Sequence, residues 1–355
     1  MKPWEKNIRT VVPYVPGEQP QGRGLIKLNT NENPYPPAPG VLRALREMDG
    51  RLLRKYPDPA ASALVEGLAE FYGLCSSQVF VGVGSDDVLA MAFMTFFNSG
   101  KPILFPDITY SFYPVWADLF QIPYKTPALD GEFRIRPADY YQENGGVVFP
   151  NPNAPTGIFL PLKQVEDILD HNQDVVVIVD EAYIDFGGVS ARTLLDRYEN
   201  LLVVGTFSKS RSMAGMRIGY AFGSPALIKA MENVKYSYNS YTMNLPSVLS
   251  GVEALKDKEY FYETVGKIVN TRERAKSRFK ELGFKCPDSS ANFLFITHEE
   301  RKAEEILQAL REKNIYVRHF NAPRISEYLR VTIGTDDEME AVYDFLASWL
   351  VTLSR

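Results

Sequence analysis

Short apolar runs bounded by turn residues recur along the first two thirds of the chain, and between them apolar positions return every three or four residues. The runs at 78–83, 102–105, 147–149, 175–179 and 201–204 show almost no polar alternation, the mark of strands buried on both faces of a sheet. The intervening segments 61–72, 86–97, 111–120 and 162–171 carry helical periodicity, so this part predicts α/β alternation. The pattern changes after about Asp257. A long charged amphipathic helix running to Gly283 precedes strands at 292–296, 315–317 and 329–333 with helices between them, which predicts a smaller α+β unit. Residues 10–39, rich in proline, glycine and asparagine, read as an arm or connection outside the core, with a short possible strand at 25–28. The expected division is an arm over 1–40 that also contributes to the small unit, a large domain over 41–256 and a small C-terminal domain over 257–355.

Composition narrows the function classes. With 355 residues the chain can bury a deep core and is long enough for two domains. A hydrophobic share of 45% and a charged share of 23% place it among soluble globular proteins. The net charge of -5, with no Lys/Arg block long enough to track phosphates, argues against nucleic acid. The most basic stretch, 267–280, is interrupted by Glu273 and apolar positions and reads as a solvated helix face. No run reaches the apolar length of a membrane span and no signal-type apolar core stands near the N-terminus, so the cytoplasm is the default location. Cys75 and Cys286 form neither a disulfide framework nor a metal pattern and read as reduced structural thiols.

The candidate chemistry lies at the strand ends. Lys209 follows the run 201–204 through Gly205, Thr206, Phe207 and Ser208, which puts an amine at the carboxyl end of a buried sheet, where α/β proteins hold ligands. Taken alone it is a solvated surface lysine; its partners reverse that reading. Asp180 and Glu181 end the run 175–179, and a carboxylate there is costly to bury unless a cation or protonated nitrogen faces it. Asp180 alone reads as a cap or a metal ligand, yet no histidine or second carboxylate stands at metal spacing. Residues 82–87, Gly-Val-Gly-Ser-Asp-Asp, follow a strand and open a helix. They are either a phosphate-binding helix N-terminus or simply Ser85 as N-cap with Asp87 in the first turn. Arg217, with Gly215 nearby, is either a bidentate phosphate ligand or a surface arginine in a strand. Together these residues supply an amine, a partner for a protonated ring nitrogen and a phosphate cup.

On these residues the chain resembles the fold type I pyridoxal-phosphate aminotransferases, most of all their histidinol-phosphate branch. The resemblance spans nearly the whole chain and rests on ordered motifs: Asn31-Glu32-Asn33-Pro34, Tyr56-Pro57-Asp58, Gly84 to Asp87, Asn151 to Gly157, Asp180 to Tyr183, Ser208-Lys209, and Gly215 with Arg217. It implies an α/β large domain with a mostly parallel seven-stranded sheet flanked by helices, a smaller α+β domain, and pyridoxal 5'-phosphate as cofactor. By the same resemblance Lys209 forms the Schiff base and shuttles the proton, Asp180 pairs with the ring nitrogen, and Tyr183 bonds the ring's phenolic oxygen and lowers the pKa of the imine. Tyr110 is expected to stack on the ring, a core aromatic being its other reading. Ser85, Asp86, Thr206, Ser208 and Arg217 are expected on the phosphate. Tyr56 is expected to reach that phosphate from the partner subunit of a homodimer with shared sites. One departure stands out. Ala154 occupies the place of the family's asparagine, and its missing contact to the ring oxygen falls to Asn153 or leaves Tyr183 alone.

For the substrate, the resemblance points to Arg330 and Arg318, with Tyr14 and Asn33 from the N-terminal segment. Two guanidinium groups plus a tyrosine suit a phosphate monoester better than a lone carboxylate, although Arg318 also reads as an exposed strand residue. The expected reaction is amino transfer between L-histidinol phosphate and 2-oxoglutarate in histidine biosynthesis. Rival expectations are an aromatic or broad-specificity aminotransferase and a phosphothreonine decarboxylase of the same fold. A non-catalytic ligand-binding domain would have no need of Lys209, Asp180 and Tyr183 together.

Overall fold

The computed structural model describes residues 2–352. In chain order the first part contributes β1 (Ile26–Leu28), α1 (Pro39–Glu47), α2 (Ser62–Tyr72), β2 (Val79–Gly82), α3 (Gly84–Phe96), β3 (Ile103–Leu104), α4 (Phe112–Phe120) and β4 (Tyr124–Lys125). The middle adds β5 (Val147–Pro150), α5 (Leu162–Asp170), β6 (Val177–Asp180), β7 (Leu201–Thr206), β8 (Gly219–Gly223), α6 (Pro225–Tyr238) and α7 (Leu245–Lys256). The last part holds α8 (Lys258–Glu281), β9 (Phe284–Lys285), β10 (Phe293–His298), α9 (Ala303–Glu312), β11 (Ile315–His319), β12 (Leu329–Thr332) and α10 (Asp336–Thr352).

Seven strands form one sheet in the order β2-β8-β7-β6-β5-β3-β4, parallel except for β8, which runs antiparallel to both neighbours. The apolar runs acquire a period here that the sequence alone hides. Phe149, Val179 and Val203 face one core, whereas Val148, Ile178 and Leu202 face another on the opposite side, and the register sets each trio side by side. Both faces are covered, which is why these strands tolerate no polar position until their carboxyl ends. This is the mostly parallel seven-stranded sheet, flanked on both faces, that the sequence predicts.

The second sheet has the order β1-β11-β12-β10-β9, with β1 parallel to β11 and the other pairs antiparallel. Its core joins Leu28, Phe293 and Val331 to Ile268, Phe279 and Leu346 of the flanking helices. The strand expected at 25–28 is β1, the edge of this sheet, and one part of that reading needs correction: with Leu28, Asn29 and Asn31 buried, the segment does not lie outside the core. Helices α1, α6, α7 and α10 and strands β4, β8 and β9 lie outside the predicted set. Among the described residues no helix is long and apolar enough to cross a membrane.

Of the three parallel strands β5, β6 and β7, the first two end level, Pro150 beside Asp180, and β7 runs two residues past Val204, the partner of Asp180, to Thr206. The chain leaving each of them carries the chemistry-bearing residues.

Candidate active site

A cavity of about 220 Å³ lies over these strand ends, closed on its far side by Tyr14 and by Arg318 and Arg330 of the second sheet. Lys209 enters it three residues beyond β7, its Nζ donating to the Thr30 carbonyl at 3.1 Å and standing 5.7 Å from the centre of the Tyr183 ring. Asp180, the last residue of β6, also lines the cavity and is only 4% exposed. Its Oδ2 accepts from the Tyr113 hydroxyl at 2.9 Å and its Oδ1 from the Ala182 N–H at 3.3 Å. Burial pushes its carboxyl up to about 6, against the pull of those two donors. A cation opposite Asp180 would reverse that shift by favouring the charged form. Tyr113 is itself held far above the usual phenol range, by burial first and then by the neighbouring Asp180.

Beside the amine is a cup of donors. Helix α3 begins at Gly84 with Val83 as its N-cap and no side chain capping it, so Ser85 lies inside the first turn and is not the cap. Asp87 instead turns back to accept from the Val83 N–H at 2.9 Å. The free N–H groups of the first turn and the helix dipole together favour an anion. Gly219 of β8 abuts this turn so closely that a Cβ there would collide with the Gly84 and Ser85 backbone. Gly84 has φ +83° and faces the Arg217 guanidinium where a side chain would otherwise stand. Arg217 precedes β8 in the left-handed region, at φ 52°, rather than lying in a strand. Its Nη2 is 3.4 Å from Asp86 Oδ2, and Asp86 Oδ1 accepts from the Tyr110 hydroxyl at 2.8 Å. Thr206 Oγ1 and Ser208 Oγ, 3.0 Å apart, complete the wall. Tyr110 lies just before α4 and faces the cavity.

On the other wall, the antiparallel register of β11 and β12 sets Arg318 directly opposite Arg330. Like charges facing each other across a pair of strands are destabilising. Arg330 donates through Nη2 to the Asn29 carbonyl at 3.0 Å, while its buried Nε has no partner among the described residues. Burial, with Arg318 nearby, draws the Arg330 pKa below its usual value, though a guanidinium stays charged at any ordinary pH. An anion between the two would satisfy both. Tyr14 closes this end, its ring stacked on Phe112 with centroids 4.2 Å apart. Glu32 at the mouth ends below the usual carboxylate range because its bonds to Lys27 and Thr30 outweigh the burial that raises it.

Three expected residues are not brought into the lining. Asn153 is buried with its Nδ2 committed to the Ile108 carbonyl and Thr156 Oγ1, and Ala154, not Asn153, lines the cavity. Asn33 donates to the Lys209 carbonyl at 3.0 Å and so braces the lysine loop from behind. Tyr56 is 82% exposed and rests on Tyr241, away from the cavity. Two residues that the sequence left without a role have one in the geometry. Tyr113 reads only as a helix aromatic, and Asn31 belongs to a motif, but neither signals in sequence that it touches Asp180 or Tyr183.

The residue set fits pyridoxal phosphate: a lysine amine in the cavity, a buried carboxylate lining it for the ring nitrogen, a helix N-terminus with hydroxyls and Arg217 for the phosphate, and Tyr110 for the ring face. Residues 23–346 match the family model described as aminotransferase class I and II. The chain is 53% identical over 335 residues, 94% of each chain, to histidinol-phosphate aminotransferase 1 of Hydrogenovibrio crunogenus. It is 51% identical to histidinol-phosphate aminotransferase 2 of Dechloromonas aromatica, over 97% of this chain and 98% of the relative. Among solved structures, the histidinol-phosphate aminotransferase of Sinorhizobium meliloti in complex with pyridoxal-5'-phosphate superposes with a TM-score of 0.84 at 24% identity, covering 92% of this chain and 91% of that one.

Proposed function

The chain belongs to the class I and II aminotransferases, a pyridoxal-phosphate-dependent family, and on that premise we propose that it exchanges an amino group between L-histidinol phosphate and 2-oxoglutarate in histidine biosynthesis. Relatives of that activity, about half identical over nearly the full length, support the reading. The observation that carries it is the facing pair Arg318 and Arg330 in the cavity wall. Two guanidinium groups on one wall can answer a phosphate monoester with several charge-assisted hydrogen bonds. The side-chain carboxylate of the second substrate would use the same pair.

Bound pyridoxal phosphate would supply an aldehyde for the amine to join and a ring that takes up the electron pair left when a proton departs. The rest is the chain's own work. Lys209 Nζ would take the proton from the substrate carbon that bears nitrogen and return it to the carbon on the far side of that nitrogen. Asp180 would hold a proton on the ring nitrogen, regaining its charge as it does so. Tyr183 would donate to the ring oxygen, Tyr110 would cover the ring face, and Ser85, Asp86, Thr206, Ser208 and Arg217 would seat the phosphate. Tyr14 would shut the substrate end against water. We further infer a cytoplasmic homodimer in which Tyr56 serves the partner's phosphate, and a division into the large domain 41–256 and the small domain 257–355 with the arm.

Substrate choice is tested by kcat/KM for L-histidinol phosphate, phenylalanine and O-phospho-L-threonine in the wild type and in Arg318→Ala. A charge-assisted contact contributes about 1.5–3 kcal/mol, so the variant should lose roughly tenfold to a hundredfold with histidinol phosphate and much less with phenylalanine. Equal losses, or a wild type that prefers phenylalanine, would favour an aromatic aminotransferase. Release of carbon dioxide from phosphothreonine would favour the decarboxylase.

A further inference from the structure

We propose that Asn31 is a positioning residue that commits the hydroxyl proton of Tyr183 to the cofactor's phenolic oxygen, in a chain whose Ala154 offers no second donor there. The inference rests on the reading that Tyr183 faces that oxygen. Asn31 Nδ2 lies 2.9 Å from the Tyr183 hydroxyl oxygen, and among the described residues it is the hydroxyl's one hydrogen-bond partner. The direction of this bond follows from the surrounding network. Thr332 Oγ1 takes the Asn31 backbone proton at 3.0 Å and gives its own proton to Asn31 Oδ1, also at 3.0 Å. Turning the amide over would set its NH2 against the Thr332 hydroxyl and leave that hydroxyl's own proton without an acceptor among the described residues. The NH2 group therefore points at Tyr183.

A phenol has one proton to give. With Asn31 donating to it, Tyr183 acts as acceptor on that side and is left to donate on the other, towards the cavity it lines. The arrangement is rigid. Asn31 is 1% exposed, its carbonyl accepts from Asn292 Nδ2 at 3.0 Å, and its φ of 57° is a left-handed conformation that asparagine adopts more readily than most residues. The Tyr183 ring packs edge-on to Phe293 with centroids 5.1 Å apart. Family members with asparagine at the position of Ala154 would have a second donor at the ring oxygen; here the fixed direction of one phenol has to suffice. A committed donor stabilises negative charge on that oxygen, and so lowers the pH at which the lysine-linked chromophore loses its proton.

The experiment is a pH titration of the visible absorbance of the full-length holoenzyme as wild type, Tyr183→Phe, Asn31→Asp and the double variant. Aspartate keeps the shape and the Thr332 contact but accepts where asparagine donates, drawing the Tyr183 proton to itself. The expected result is a chromophore pKa raised by about one unit or more in both single variants, with the double variant no higher than Tyr183→Phe. An unshifted Tyr183→Phe overturns the underlying reading of Tyr183. A shifted Tyr183→Phe with Asn31→Asp at the wild-type value overturns the role of Asn31 alone. An Asn31→Asp shift that persists in the phenylalanine background also overturns it, because the charge would then act without the phenol. Should Asn31→Asp not fold, Asn31→Gly keeps the backbone conformation and removes the donor without adding an acceptor; a rise smaller than in Tyr183→Phe is then expected, and the wild-type value overturns the role of Asn31.

Discussion

Two consecutive buried acids, Asp180 and Glu181, meet different chemistry because they leave the same strand end on opposite sides. Asp180 faces the cavity, where a protonated nitrogen would restore its charge. Glu181 lies on the other side, accepting from Ser190 Oγ at 2.5 Å and from the Ala191 N–H at 2.6 Å, with burial pushing its carboxyl up to about 8. Those two donors do not offset the burial. The sign of the consequence follows from proton counting: between about 4.5 and 8 the folded chain keeps this proton and the unfolded chain releases it. Rising pH therefore costs stability across that window, at a slope approaching ~1.4 kcal/mol per pH unit. Glu181→Gln should flatten the slope. Denaturant unfolding of the cofactor-free protein across the window, wild type against variant, measures it; an unchanged slope would mean that Glu181 is ionised in the fold.

At the scale of elements, strands buried on both faces announced themselves, and with them the positions of Asp180 and Lys209, because an apolar run has to end where the chain meets polar chemistry. Register did not announce itself. The runs at 315–317 and 329–333 marked two strands, but only their pairing sets Arg318 opposite Arg330. Strand β8 is weakly marked because glycines frame it and it offers only Tyr220, Ala221 and Phe222 between them. Helices α6 and α7 carried readable starts, Ser224 before Pro225 and Asn244 before Leu245, whose side chains cap Leu227 N–H and Ser247 N–H. Their buried positions recur at helical spacing, Ile228, Met231 and Lys235 in α6 and Val248, Gly251 and Leu255 in α7, but a lysine and a glycine on those stripes weaken the apolar pattern. Asn31 was hidden for another reason: its partners, Tyr183, Asn292 and Thr332, are remote in sequence. The glycine of β8 has a consequence at this scale. Gly219→Ala would push the first turn of α3 away from β8 and spoil the phosphate cup while leaving the cores intact. Cofactor affinity should fall about tenfold or more, a cost of ~1.4 kcal/mol, with an unchanged far-UV spectrum. Spectral titration with pyridoxal phosphate reads the affinity, and wild-type binding would show that the cup yields without loss.

At the scale of the whole molecule, the surface around Tyr56 asks for a covering partner. Leu52, Leu53 and Tyr56 lie exposed on one stretch, Tyr238 and Tyr241 on another, and the Tyr56–Tyr241 ring contact, 4.7 Å between centroids, joins them. A contiguous apolar and aromatic patch of this kind is characteristic of an interface. A twofold dimer presents the same patch on both subunits, so a residue that one chain lends, it also borrows. If Tyr56 serves the partner's phosphate, a Lys209→Ala subunit still carries a usable Tyr56, and a Tyr56→Ala subunit still carries a usable Lys209. Each variant dimer alone should be impaired: the first inactive, the second weakened in cofactor binding. Mixed after dissociation, random pairing makes half of the dimers hybrids, and each hybrid contains one site with both residues intact. Activity at limiting cofactor should then rise above the sum of the separate variants, towards roughly a quarter of wild type. The mixture is assayed for amino transfer after co-refolding and again without it. If each site draws Tyr56 from its own chain, no hybrid site is complete, and the mixture gives only the average of its components.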